Sequence, residues 1–159
     1  MQLEAGFIKD FYAQNDLADQ MFENILVAVD GSKHSDVAFS VAMDIAKKYG
    51  SQLFILHVFQ GGTGSSTMVS PDFEDDLRAP GQEILNSYEA KVKEKGLQNV
   101  RLLLEIGDAA QRIMETASEV KCGLIVIGSR GRGGFKELLL GSISHKVTNH
   151  AECPVLVVK

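Results

Sequence analysis

Five stretches of the chain are almost wholly aliphatic: ILVAV (25–29), QLFILHVF (52–59), VRLLLEI (100–106), LIVIG (124–128) and PVLVV (154–158). The first, fourth and fifth lack the alternation of a half-exposed strand, and unbroken β-branched runs of this length predict strands covered on both faces of a parallel sheet. Between them the apolar positions take a helical period. Val37, Val41, Ile45 and Tyr49 form one stripe, and Ile84, Tyr88 and Val92 a second. Ile113, Ala117 and Val120 form a third, and Leu139, Ile143 and Val147 a fourth. Strand and helix alternate throughout, which predicts right-handed crossovers and a three-layer α/β/α sandwich. Pro71, Pro80 and Pro154 are expected between elements or at a strand start.

Two stretches depart from this alternation. Gln60 to Pro71, QGGTGSSTMVSP, has no period and reads as a mobile loop at the carboxyl end of the second strand. At the other extreme, Leu3, Phe7, Ile8 and Phe11 share one helical face, which Leu17, Met21 and Phe22 extend after a cap at Asn15 or Asp16. Residues 1–21 therefore read as a helical extension and 22–159 as the domain. The extension is a short helix packed on the domain, a partly disordered tail or a partner-binding helix. A start upstream of a native Met21 would also account for it.

Composition narrows the class. The 159 residues are 45% hydrophobic and 23% charged, with 15 Gly and 3 Pro, which excludes disordered, collagen-like and disulfide-scaffold proteins. Cys122 and Cys153 do not make a disulfide framework and fit a reducing compartment. No apolar run approaches the ~18 residues of a membrane span, and the N-terminus lacks a basic-then-apolar signal. The expectation is a cytoplasmic protein with no membrane partner. The formal charge of −5 is unevenly spread: residues 1–24 contribute −4 and the remainder −1. Without a basic stripe, nucleic acid is not the expected partner.

The charge split directs attention to one segment. GSRGRGGFKELLLGS (128–142) follows the fourth strand directly, with four glycines in its first seven residues. Arg130, Arg132, Lys136 and Lys146 oppose only Glu137 between 128 and 150, so the region is locally +3. Glycines permit close approach of backbone N–H groups to an anion, and the helix opened by Gly141-Ser142 offers its positive end. In open α/β sheets this is where ligands bind, beyond the carboxyl ends of the strands. Asp30-Gly31-Ser32 ends the first strand at the same level, as an acceptor for a ligand hydroxyl, a metal ligand or simply a helix cap. His57-Val58 ends the second, as an apolar wall for a flat ring or as plain core.

Other chemistries fail on spacing. Gly128…Gly133 is followed by Gly134-Phe135 rather than Lys-Ser/Thr, and a dinucleotide turn beginning at Gly131 and Gly133 would need glycine where Lys136 stands. There is no Gly-x-Ser-x-Gly elbow. His145, His150 and Cys153 lack zinc spacing. Asp72, Glu74, Asp75 and Asp76 read as the acidic start of a helix. The residues support binding better than catalysis.

With these residues the chain resembles the universal stress protein family from about Phe22 to Lys159. NILVAVDGS (24–32), LFILHVF, the helix start Gly107-Asp108-Ala109-Ala110 and CPVLVVK carry the likeness. Gly128, Gly131, Gly141 and Ser142 match the family's ATP-binding spacing Gly-x2-Gly-x9-Gly-Ser/Thr. The resemblance implies an adenine nucleotide alpha hydrolase-like fold with strand order 3-2-1-4-5, and a homodimer paired through Pro154–Val158. It also implies ATP as ligand, with Mg²⁺. Carried over by position, Ala28 and Asp30 would border the nucleoside, Val58 would fix the adenine, and Ile127 and Gly128 would meet the ribose side. Arg130, Gly131, Gly141, Ser142 and Ile143 would surround the phosphates. The function implied is an ATP-dependent regulator of stress physiology. The rivals are a slow ATPase, a phosphotransferase with Ser32, Ser142 or Ser144 as acceptor, and a binder of AMP or cyclic AMP. On this reading Gly128→Val abolishes nucleotide binding and leaves the fold intact.

Overall fold

The computed structural model describes residues 20–59, 71–133 and 140–159. Within them five strands and four helices alternate: β1 (Asn24–Ala28), α1 (Lys33–Tyr49), β2 (Gln52–Phe59), α2 (Pro71–Lys95), β3 (Val100–Ile106), α3 (Ala109–Glu119), β4 (Leu124–Gly128), α4 (Ser142–His150) and β5 (Val155–Val158). The strands form one parallel sheet in the order β3-β2-β1-β4-β5. Both the three-layer architecture and the strand order expected above are therefore present. Of the expected 1–21 helical extension, residues 1–19 lie outside the described residues and 20–23 are helical; residues 60–70 of the expected Gln60–Pro71 loop and the 134–139 stretch also lie outside them.

Continuous aliphatic strands make sense once both faces are covered. Ile25, Val27, Leu53, Ile55 and Val126 face α1 and α2, where they meet Ala38, Phe39, Ala42, Met43, Leu85 and Tyr88. Leu26, Leu56, Ile125 and Ile127 face α3 and α4, where they meet Ile113, Ala117 and Val147. Each central strand thus buries alternate side chains in two different cores, and burying a large aliphatic side chain stabilises by roughly 1.5–3 kcal/mol.

Two expectations need correction. The stripe Val37, Val41, Ile45 and Tyr49 is not the buried face of α1: Val37 and Tyr49 are each 47% exposed, while Ala38, Ala42 and Ala46 are fully buried. A helix laid on a sheet buries its small residues at the line of closest approach, and the bulkier ones flank it. Pro80 lies inside α2 rather than between elements. It is exposed, and the next residue, Gly81, sits where a methyl would come 2.8 Å from Leu104 Cδ1 and 3.2 Å from the His57 ring. Glycine there lets α2 close on the sheet, so the chain continues as helix despite the missing N–H.

At the amino end of the sheet, a methyl on Gly123 would lie 2.4 Å from the Met21 carbonyl oxygen. The chain entering β1 is thus packed directly on the turn into β4. Phe22 stacks on Tyr49 with ring centroids 4.3 Å apart. The two cysteines are free. Burial pushes the Cys122 thiol up to about 12 and raises Cys153 as well.

Candidate functional site

The strand order reverses between β1 and β4, because β2 and β3 lie on one side of β1 while β4 and β5 lie on the other. Chains leaving neighbouring parallel strands to opposite faces open a crevice at the carboxyl end. Ala28 pairs with both Leu56 and Ile127 at that level, and Gly128 pairs with Val158. The residues expected at a site, Ala28, Asp30, Val58, Ile127, Gly128, Arg130, Gly131, Gly141, Ser142 and Ile143, all stand at the carboxyl ends of β1, β2 and β4 or at the start of α4.

The β1 wall is built from polar groups that satisfy one another. Ser32 caps α1, its Oγ accepting the Ser35 N–H at 3.2 Å. Asp30 does not cap. Its Oδ1 accepts the Ser32 N–H at 2.9 Å, and its Oδ2 accepts the Arg132 N–H at 3.0 Å. Behind this turn lies a buried network. Ser35 Oγ accepts the Asp30 N–H at 3.3 Å and sits 3.0 Å from the Tyr88 hydroxyl. Tyr88 donates to Asp36 Oδ1 at 2.9 Å, and Lys91 Nζ donates to the same oxygen at 2.8 Å. The bond from Lys91 holds the Asp36 carboxyl below its usual range, and burial pushes the Tyr88 phenol above its own.

The β4 wall is tied at its neck. The buried Ser129 donates its N–H to Val158 O at 2.7 Å. Its carbonyl accepts the Gly141 N–H at 2.7 Å and the Ser144 hydroxyl at 2.9 Å. The glycine segment therefore leaves and returns at one point, which puts the start of α4 beside the end of β4. Gly141 is the N-cap of α4 and supplies no side-chain hydrogen bond. By contrast, α1 has Ser32 and α3 has Asp108, whose Oδ1 accepts the Gln111 N–H at 2.9 Å. The first N–H groups of a helix have no intrahelical acceptor, and at the start of α4 no capping side chain takes them up among the described residues. Arg130 stands on the same wall, and the Arg132 guanidinium lies over Gly31, 3.3 Å from where a methyl would be.

The three signature glycines have three different structural reasons. A methyl on Gly128 would lie 2.8 Å from the His34 carbonyl carbon and 2.9 Å from its oxygen, so α1 rests on β4 there. Gly128→Val forces α1 or β4 to shift, so the expectation that it acts on binding alone and leaves the fold undisturbed is corrected by this backbone contact. A methyl on Gly131 would lie 2.6 Å from Asp30 Oδ2. Gly141 has an ordinary φ of −69°, and a methyl would come no closer than 3.4 Å to any neighbour outside its flanking residues. Nothing in the described fold requires glycine at 141.

His57 proves structural. It is buried, its Nδ1–H donates to Val29 O at 2.7 Å, and its ring faces Gly81 of α2. Val58, partly buried, packs against the α3 and α4 core. Of the serines considered as phosphate acceptors, Ser144 is buried with its hydroxyl between Ser129 O and Gly141 O, whereas Ser142 is exposed. Sequence reasoning missed Ser129, whose only signal was its position between the strand-ending Gly128 and Arg130.

The model of the universal stress protein family matches residues 21–159. Universal stress protein YxiE of Bacillus subtilis is 40% identical over 149 residues, covering 87% of this chain and all of the relative. Among solved structures, the hypothetical protein MJ0577 is 27% identical with a TM-score of 0.74, covering 87% of this chain and 96% of that one. A universal stress protein solved in complex with cAMP is 26% identical with a TM-score of 0.69, covering 87% and 98%.

Proposed function

The chain belongs to the universal stress protein family, and from that premise we propose that its crevice binds an adenine nucleotide, ATP foremost, and that the protein acts as a nucleotide-dependent regulator in stress physiology. The observation that carries the reading is the start of α4. Neither φ nor packing against the described residues requires glycine at 141, α4 lacks a side-chain cap, and Arg130 stands beside it. A glycine that the described fold does not require is accounted for by a ligand that approaches its backbone. Backbone N–H groups of Ser142 and Ile143, with Arg130 and Gly131, would hold phosphates. Ala28, Val58 and Ile127 would line the nucleoside end, with Asp30 and Gly128 shaping the walls. A micromolar site requires about 8 kcal/mol, within reach of several charge-assisted bonds at roughly 1.5–3 kcal/mol each.

Among the described residues no cluster of three or more His, Cys, Asp or Glu is arranged to hold a metal ion. Mg²⁺, which ATP carries on its phosphates, would come with the nucleotide. The relative solved with cAMP favours a second reading, in which the site takes a cyclic or monophosphate adenine nucleotide. In this proposal two copies pair through β5, whose outer edge has no strand partner among the described residues and whose Leu156 is 37% exposed. The working location is the cytoplasm. Among the described residues no helix is long and apolar enough to cross a membrane.

Calorimetry with ATP-Mg²⁺, AMP and cAMP on wild type and Gly141→Ala tests the site. The expected result is micromolar binding by wild type, with a loss of tenfold or more, at least about 1.4 kcal/mol, in a variant that stays folded and loses no more than the ~1 kcal/mol of a poorer N-cap. Equal affinity in the variant would remove α4 from the site.

A further inference from the structure

Asp30 is expected, from the resemblance, to border the bound nucleoside. Its geometry gives it a different task. One carboxylate oxygen holds the Ser32 N–H on its own turn, and the other holds the Arg132 N–H, 102 residues away on the opposite wall. Gly131 is pressed against that second oxygen so closely that a methyl would lie 2.6 Å from it. The turn behind Asp30 is fixed in its turn, since the Asp30 N–H is held by Ser35 Oγ, which leans on the buried Tyr88. The carboxylate therefore joins a rigid wall to the glycine segment, in addition to the bonds that hold that segment at Ser129.

We infer that Asp30 is a positioning residue: its carboxylate latches the glycine segment across the crevice at the Arg132 amide, and so sets the gap that an adenine nucleotide's phosphates must fit. Gly131 is the other half of the device. Its φ is not in the left-handed region, so alanine is allowed by the backbone, and the cost of alanine there comes from the Asp30 contact. The latch stands on the geometry of the protein alone. Its consequence for affinity rests on the nucleotide reading above.

Two measurements test it, and they fail separately. The first is amide hydrogen exchange in ligand-free protein, wild type against Asp30→Ala. The Arg132 amide should exchange at least about tenfold faster in the variant, as expected for losing a bond to a charged acceptor. Amides in the centres of β1 and β4 should be unchanged. The second is a cycle of Asp30→Ala, Gly131→Ala and the double variant, read by nucleotide affinity. Gly131→Ala should cost roughly tenfold with Asp30 present and less than about twofold without it, because the group it strikes has gone. Unchanged Arg132 exchange would overturn the latch, as would losses that simply multiply in the double variant. If wild type binds no adenine nucleotide, the function proposed above falls, and the exchange measurement alone decides for or against the latch.

Discussion

The β1–α1 turn and the β4–α4 segment face each other across one crevice and are held in place differently. In the first, Asp30, Ser32 and Ser35 exchange hydrogen bonds, Ser32 caps the helix that follows, and Tyr88 props the turn from behind. In the second, two bonds to the Ser129 carbonyl close the neck, and the helix that follows begins without a side-chain cap. Polar groups already satisfied within the protein bind a ligand only by giving something up, whereas unsatisfied N–H groups gain by it. In the proposed site one wall is a fixed reference and the other the receptor. The same difference explains how a carboxylate could line the phosphate site proposed above: Asp30 spends its charge on two backbone amides.

This contrast can be broken at three depths. The largest effect should come from Gly128→Val, which drives a branched side chain into the His34 backbone. Overpacking typically costs 1–3 kcal/mol and occasionally more, so a fall in melting temperature of several degrees is expected, on the order of 2–4 °C per kcal/mol. A variant that melts with wild type would show that α1 does not need the glycine. Tyr88→Phe should come next. It keeps the ring that packs against Phe39 and removes the hydroxyl between Ser35 and Asp36. Asp36 keeps Lys91 and Ser35 keeps the Asp30 N–H, so the cost is that of the lost hydrogen bonds, roughly 0.5–1.5 kcal/mol each, and denaturant titration would read it. If the first wall is a fixed reference, the Asp30 turn should also exchange its amides faster in this variant, and unchanged exchange would argue against the prop. The smallest effect on stability should be that of Ser142→Ala, an exposed position whose replacement is expected to stay within about 0.5 kcal/mol. Its effect should appear instead as a several-fold loss of nucleotide affinity, and full affinity would confine the receptor wall to the backbone.

Much of the fold could be read from pattern because strand burial leaves a local trace. The bounds of β2, β3 and β4 coincide with the apolar runs, and those of β1 and β5 differ by one residue. The glycine spacing likewise marked the segment that borders the crevice. Three features left no such trace. The line along which α1 lies closest to the sheet is made of Ala38, Ala42 and Ala46, which carry little hydrophobic signal, so the bulkier Val37 and Tyr49 misdirected the stripe. The contact of Gly128 with His34 and the bond from Arg132 to Asp30 join residues roughly a hundred positions apart. No periodicity or spacing encodes such pairs, and so Gly128 read as a ligand contact when it is also a packing requirement. Pro80 within α2 shows a local rule overridden by tertiary closure at Gly81.

The pairing of Ser129 with Val158 has a practical consequence for anyone who handles this protein. Because the Ser129 N–H is bonded to Val158 O, the carboxyl end of β5 stands at the rim of the crevice, one residue from Lys159. Any polypeptide continuing beyond Lys159, natural or engineered, emerges beside Arg130 and can obstruct the opening. Residue 20 enters at the other end of the sheet, packed on Gly123. An affinity handle attached at Lys159 therefore starts at the rim of the crevice and competes for it, whereas the described chain at residue 20 lies at the far end of the sheet.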